Sequence, residues 1–290
     1  MAAEVERLSA AYRGADRARA ARTPAAVAAY LAYRVPATYA AAAFVFRHVA
    51  ERRPGWAPGT LLDAGAGPGV AAWAALEAWP SLERVTCVEA EPAMVAAGRE
   101  LLPEAEWVEG DVGAARGPAD LVLASYVLGE LATPSVAPLW AAAADTLALI
   151  EPGTPDGYRR VLAARAEVLA AGGRTVAPCP HDLACPLQAD DWCHFAVRLP
   201  RSKLHRRAKG VELGWEDEKL SYAVLSRALV ERPAARIIRR PEVRSGHVRL
   251  VTSDEDGTIR RRTLARSDGA AYREARKALW GDGLSLPPDR

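Results

Sequence analysis

The sequence predicts an α/β fold around a doubly wound parallel sheet, and three observations carry that reading. Short apolar runs alternate with helix-length segments from residue 60 to residue 177, the pace of strand–helix–strand units. The first run ends in a glycine-rich turn, Asp63-Ala-Gly65-Ala-Gly67-Pro-Gly69, that opens a helix. Acidic residues stand at or just beyond the ends of the first three strands, as Asp63, Glu89 and Asp111. A hydrophobic fraction of 50% with 26% charged residues is the balance of a folded chain, so composition excludes disorder, collagen and coiled coil. No stretch approaches the roughly 20 uninterrupted apolar residues that span a bilayer, so no membrane is expected among the partners.

Residues 1–50 read as an N-terminal helical segment, with apolar residues at helical spacing and few breakers besides Pro24 and Pro36. Pro54, Gly55, Pro58 and Gly59 end it. Residues 51–178 are the sheet core. There Thr60–Leu62 is the first strand, and the glycine turn leads into a helix reaching about Trp79. Arg84–Val88 is the second strand, closed by Glu89, and Pro92 suits the first turn of a helix to about Leu102. Glu106–Val108 and Leu121–Ala124 are the third and fourth strands. Val136–Ile150 and Tyr158–Ala170 read as helices, the second stopped by Gly172–Gly173, and Thr175–Ala177 as a strand. Residues 179–210 are a Cys-rich loop followed by a basic segment. Residues 211–290 are a small β-rich part with a final helix. Its strand-like runs, Ser221–Arg227, Arg236–Arg240, His247–Thr252 and Thr258–Leu264, are joined by short polar turns and look antiparallel; Ala270–Leu279 is the helix.

Arg7, Arg13, Arg17, Arg19 and Arg22 have no apolar run behind them, which is no secretory signal, and the expected location is cytoplasmic. Four cysteines are too few for a disulfide scaffold; in a reducing compartment, clustered ones point to metal. The net charge of +2 hides an asymmetry. Residues 1–178 carry 16 Lys+Arg against 20 Asp+Glu, and residues 179–290 carry 22 against 16.

In the glycine turn, backbone amides can approach a ligand closely, and the helix N-terminus adds partial positive charge. A dinucleotide fingerprint would need its last glycine at position 70, which is Val70. Asp63, Gly65, Gly67 and Gly69 instead resemble motif I of the S-adenosylmethionine-dependent methyltransferases. That resemblance implies a Rossmann-like methyltransferase sheet, with Glu89 on both ribose hydroxyls and Asp111 facing the adenine. Ser125, where the fourth strand exits into Tyr126-Val127-Leu128-Gly129-Glu130-Leu131, is the remaining cofactor candidate. Methyltransferases that act on amino groups of bases usually carry an Asn/Asp-Pro-Pro-aromatic motif there, and this sequence has none. Cys87 sits inside the second strand and reads as core. No catalytic residue is identified.

Cys179, Cys185 and Cys193 fall within fifteen residues, with prolines at 180 and 186. Zinc ribbons use close C-x₂₋₄-C pairs, so the wide spacing and adjacent prolines suit an iron–sulfur cluster better. Zinc held by the three cysteines with His181 or His194 is the alternative. Together with Glu151-Pro-Gly-Thr-Pro155, Arg244-Ser-Gly-His-Val248 and Tyr272–Asp282, these segments resemble the mitochondrial small-ribosomal-subunit assembly factors, a methyltransferase-like family with bacterial relatives. The resemblance covers roughly residues 30–282. It implies a four-cysteine [4Fe-4S] cluster and binding to small-subunit ribosomal RNA during assembly. The family's fourth cysteine position is Ser253 here, so the fourth ligand is Ser253, His181, His194, His247 or none.

Arg198, Arg201, Lys203, Arg206, Arg207 and Lys209 fall in twelve residues with no acid among them. Such density suits phosphate, and arginine also stacks on unpaired bases. The functional expectation is an rRNA-binding assembly factor for a 30S-type particle, with S-adenosylmethionine as a bound ligand. An active 16S rRNA methyltransferase and a small-molecule methyltransferase with a structural metal are the alternatives.

Overall fold

The computed structural model describes residues 7, 23–115, 117–131, 133–188, 190–201, 203, 206 and 212–285. Its large sheet grows from apolar runs that alternate sides. Five strands, β1 (Thr60–Ala64), β2 (Arg84–Glu89), β3 (Glu106–Glu109), β4 (Ala119–Ser125) and β5 (Ala143–Pro152), pair in parallel in the order β3-β2-β1-β4-β5. Beyond β5 the sheet continues through β8 (Trp215–Ser226) to β6 (Arg174–Ala177), and β7 (Phe195–Pro200) also pairs with β8; all three contacts of β8 are antiparallel. The sheet therefore draws strands from both sides of residue 178.

Side-chain alternation assigns the two faces. Leu61, Leu121, Leu123, Ile150, Tyr222 and Val224 pack beneath α2 (Val35–Arg52) and α3 (Val70–Ala78). Leu62, Val122, Leu147, Leu149, Ala223 and Leu225 pack against α5 (Ala137–Ala142) and α6 (Pro155–Ala170). Each buried leucine or valine here contributes about 1.5–3 kcal/mol. α4 (Pro92–Leu101) follows β2, and α1 (Pro24–Tyr33) packs on it through Ala26, Ala29 and Met94.

A second, antiparallel sheet has the order β10-β11-β9-β13, with β12 on β11. Its strands are β9 (Ala235–Ile237), β10 (Glu242–Val243), β11 (His247–Asp254), β12 (Ile259–Ala265) and β13 (Gly283–Leu284). Helix α7 (Ala270–Lys277) buries Tyr272 and Ala275 against Ile237, Val248 and Leu250. Among the described residues, no helix is long and apolar enough to cross a membrane.

Three expectations need correction. Val136–Ile150 is not one helix: α5 stops at Ala142 and β5 begins at Ala143. A strand buried on both faces reads as an unbroken apolar run, which periodicity cannot separate from a buried helix. The helical segment of residues 1–50 is broken at Arg34, where Pro36 starts a new first turn; residues 8–22 lie outside the described residues. The run Ser221–Arg227, expected among the strands of the β-rich part, belongs up to Ser226 to β8 of the large sheet, because it pairs with β5 and β6.

Candidate functional site

A cleft of about 500 Å³ opens at the C-terminal ends of the parallel strands. That is where open α/β sheets bind ligands, because successive strand–helix turns diverge there. The glycine turn forms its floor. Gly65 and Ala66 donate their N–H groups to Val88 O at 2.9 and 3.0 Å, tying the turn to β2. Gly65 has φ 75°, and a Cβ there would meet Val127 Cγ2 at 2.5 Å, so no other residue fits.

Of the seven cofactor candidates, Gly65, Gly67, Glu89, Asp111 and Ser125 line the cleft, while Asp63 and Gly69 do not. Gly69 caps α3 with φ 81° and lets Leu102 and Trp107 approach; its work is packing. Asp63 is fully buried near the end of β1, and neither carboxylate oxygen makes a hydrogen bond of good geometry. Burial pushes its pKa up to about 7, and the nearby backbone N–H of Ala72 counters this only in part. Glu89 accepts the Gly67 N–H on Oε2 at 2.7 Å and the Glu91 N–H on Oε1 at 2.8 Å. It braces the turn and keeps further lone pairs toward the cleft. The Ser125 hydroxyl is buried without a partner. Asp111 is exposed at the rim.

Sequence reading missed the rest of the wall. Tyr30 of α1 and Tyr126 line the cleft, and burial raises both phenols. Tyr126 has φ 61°, a conformation that costs a bulky residue energy and clusters at functional sites. It is held by its N–H on Ile150 O at 2.7 Å and by its hydroxyl, which donates to Glu218 Oε1 at 3.1 Å. Arg34 bonds the same oxygen at 3.3 Å. Behind this, Glu151 is buried, accepting the Leu128 N–H at 3.0 Å and Arg160 Nε at 2.7 Å. Nothing in the local sequence signals Glu218, which lies ninety-two residues from Tyr126. Among the described residues, the cleft lining holds Glu89, Glu91, Asp111 and Glu130 and no Lys, Arg or His.

A second cavity, about 40 Å³, is lined by Cys179, Cys185, Cys193 and Ser253. The topology brings these together: Cys179 follows β6, Cys193 precedes β7 and Ser253 is on β11. Tyr158 donates its hydroxyl to Cys185 Sγ at 3.1 Å. Burial and the neighbouring cysteines raise the Cys193 thiol; burial also raises Cys179, where Arg165 pulls the other way. His181 stands behind Ser253, its Nε2 3.4 Å from Ser253 Oγ. His194 and His247 do not line the cavity; His194 stacks on Trp192 instead. Among the described residues, no three His, Cys, Asp or Glu side chains close around a common point, so this is a shared cavity and not a finished coordination sphere. Cys87 is buried in β2, as expected.

The basic segment is less free than its sequence implies. Arg198 forms a bidentate pair with Asp217 at 2.8 and 3.0 Å and covers the Trp215 ring at 3.7 Å. Arg201 pairs with Glu216 at 3.0 Å. Both acids come from β8, because the β7–β8 hairpin sets Arg198 opposite Asp217. Lys203 is exposed and Arg206 half-buried; Arg207 and Lys209 lie outside the described residues. Farther on, Asp254 binds Arg260 and Arg262.

Human ribosome assembly protein METTL17, mitochondrial, is 30% identical over 291 residues, covering 89% of this chain and 62% of its own. Rsm22-cox11 tandem protein 2, mitochondrial, from Schizosaccharomyces pombe (strain 972 / ATCC 24843) is 28% identical over 299 residues, covering 78% of this chain and 38% of its own. The chain thus spans less than two thirds of the length of these relatives. Solved structures are more distant. Magnesium protoporphyrin IX methyltransferase from Synechocystis PCC 6803 with bound SAM has 12% identity and a TM-score of 0.38, covering 66% of this chain and 80% of that one. Precorrin-6y C5,15-methyltransferase from Geobacter metallireducens GS-15 has 13% identity and a TM-score of 0.40, with 64% and 86% covered. The model of the family described as mitochondrial small ribosomal subunit Rsm22 matches residues 24–285, and the chain belongs to that family.

Proposed function

We propose that this chain is a small-ribosomal-subunit assembly factor that binds ribosomal RNA, with S-adenosylmethionine as a ligand of its cleft. The observation that carries the reading is the charge of that cleft: four carboxylates and, among the described residues, no basic residue in the lining. Such a wall favours a cationic small molecule and repels a phosphate-bearing acceptor. S-adenosylmethionine supplies a sulfonium methyl donor with net positive charge. Gly65 and Gly67 give it close backbone approach, and the spare lone pairs of Glu89 suit a ribose. Ser125 Oγ is an orphaned group on the cleft wall, and the Asp63 carboxylate lies buried at its base.

Methyl transfer to RNA is the weaker reading, since the exit of β4 has no Asn/Asp-Pro-Pro-aromatic motif to hold an amine. The RNA surface belongs to the part after residue 178, where Lys203 and Arg261 are exposed. The three thiols, with Ser253 beside them, fit a soft metal by donor chemistry, and we assign them to a [4Fe-4S] cluster in preference to zinc.

A deletion strain separates the two functional readings. Assembly predicts immature small subunits with unchanged 16S methylation by mass spectrometry, whereas loss of one methylated nucleotide would mean an active methyltransferase. Ser253→Cys should slow cluster loss in air; an unchanged rate counts against Ser253 as the replaced ligand.

A further inference from the structure

Two arginines beside the cysteine cavity have no part in the reading above. Arg165 on α6 is 4% exposed and Arg236 on β9 is 1% exposed, and both line the cavity with the three cysteines. A guanidinium does not shed its proton, so each brings a full charge into the interior, a burial that normally demands an anion. None is provided. Arg165 donates from Nη1 to Leu183 O at 3.0 Å and from Nη2 to His181 O at 2.7 Å. Arg236 donates from Nε to Pro178 O at 2.9 Å and from Nη1 to Gly281 O. Those acceptors are neutral carbonyls. Among the described residues, Arg165 Nε and Arg236 Nη2 are buried with no acceptor, and no Asp or Glu lines the cavity.

Among the described residues of the lining, the groups that can become anionic are the thiols and the Tyr158 and Tyr222 phenols. Phenols ordinarily keep their protons at neutral pH, whereas a metal takes cysteine as thiolate, which leaves the cysteines. Three thiolates around a divalent ion, or around a cluster core of the same charge, leave a net negative complex. We propose that Arg165 and Arg236 are the cationic partners of an anionic, thiolate-bound metal group in this cavity, meeting it with their two unsatisfied N–H donors. This rests on the metal reading above. Both arginines are positioning residues: they stabilise the bound group without ligating it.

The test uses the full chain, prepared without oxygen and loaded with ferrous iron and sulfide or with zinc. It is compared with Arg165→Gln, Arg236→Gln and the corresponding lysine variants. Two quantities are read: the half-life of bound metal against a chelator and, with iron, the reduced-to-oxidised ratio at one fixed potential by electron paramagnetic resonance. Each glutamine variant should lose metal about tenfold faster. Its ratio should fall about tenfold, which is about 59 mV for a one-electron couple, because the reduced form carries more negative charge. Lysine, which keeps the charge, should restore most of both. Where a glutamine variant does not fold by circular dichroism, its lysine counterpart decides: a half-life within about twofold of the unaltered chain supports the charge role, and a tenfold loss overturns it. Glutamine variants that fold, load and behave like the unaltered chain overturn the proposal alone. An unaltered chain that retains neither iron nor zinc overturns the metal reading, and this proposal with it.

Discussion

Replacing Glu89 with alanine separates a brace from a simple ligand contact. The carboxylate accepts two backbone N–H groups, from Gly67 at 2.7 Å and Glu91 at 2.8 Å, so it fixes the glycine turn before any ligand arrives. Hydrogen bonds to an ionised group are worth about 1.5–3 kcal/mol each. Glu89 is half-buried, so water replaces part of what is lost, and the lower end applies: about 3 kcal/mol for the pair. At about 1.4 kcal/mol per decade, that is roughly a hundredfold in the unfolding equilibrium. Urea unfolding of the ligand-free chain should show this as a lower midpoint at unchanged slope. Glu89→Gln keeps one acceptor oxygen and should lose about half as much. Calorimetric titration with S-adenosylmethionine should show weaker binding in the same order. A ligand-free midpoint unchanged in Glu89→Ala would refute the bracing role and leave Glu89 as a ligand contact only.

The buried carboxyl of Asp63 makes stability depend on pH. Its folded pKa of about 7 stands above the unfolded value of about 3.9, so the fold retains a proton that the unfolded chain releases. The stability it contributes is full below about pH 4, falls as pH rises to about 7 and is flat above. Asp63→Asn should therefore gain on the unaltered chain at pH 8 and not at pH 4; a difference independent of pH would contradict this. Glu151→Ala strands Arg160 and the Leu128 N–H, and removing one partner of such a buried pair costs about 3–5 kcal/mol, measurable by urea unfolding. In RNA binding, Lys203→Ala should reduce the slope of log affinity against log salt by about 0.7–0.9. Arg198→Ala should change that slope less, because Asp217 already holds its charge; equal effects would mean the pair opens on RNA.

The parallel half of the sheet was legible because its signals are local. Alternation, the glycine turn and the strand-terminal acids each sit within one strand–helix unit, and β1 to β4 fall where those signals stand. What failed was non-local. Ala143–Pro152 gave no period because Leu147 and Leu149 are buried on one face while Ala148 and Ile150 are buried on the other. The pairing of the basic segment could not be read locally, because Glu216 and Asp217 are fifteen and nineteen residues from Arg201 and Arg198 and meet them only once β7 and β8 pair. The cleft followed the same rule. Gly65, Gly67 and Glu89 could be read from spacing, whereas Tyr30 reaches the wall from a distant segment, and Glu218, paired with Arg34, holds Tyr126 from another.

Strand β8 explains why the cofactor part and the part after residue 178 do not separate as the sequence implies. Near its start, Glu216 and Asp217 hold the arginines of the basic segment. One residue on, Glu218 fixes Tyr126 at the cleft. Three residues farther, about 10 Å along a strand, Ser221 donates its hydroxyl to Cys193 O at 2.7 Å, and Tyr222 lines the cysteine cavity. All of this sits on a strand bonded to β5 on one side and to β7 and β6 on the other. Without β8, β5 and β6 lose their ladder, and the apolar groups of Leu147, Leu149 and Ile150 lose a packing partner. A chain cut at residue 178 should therefore fail to fold cooperatively. A cooperative unfolding transition in that fragment would show that the cleft does not depend on β8.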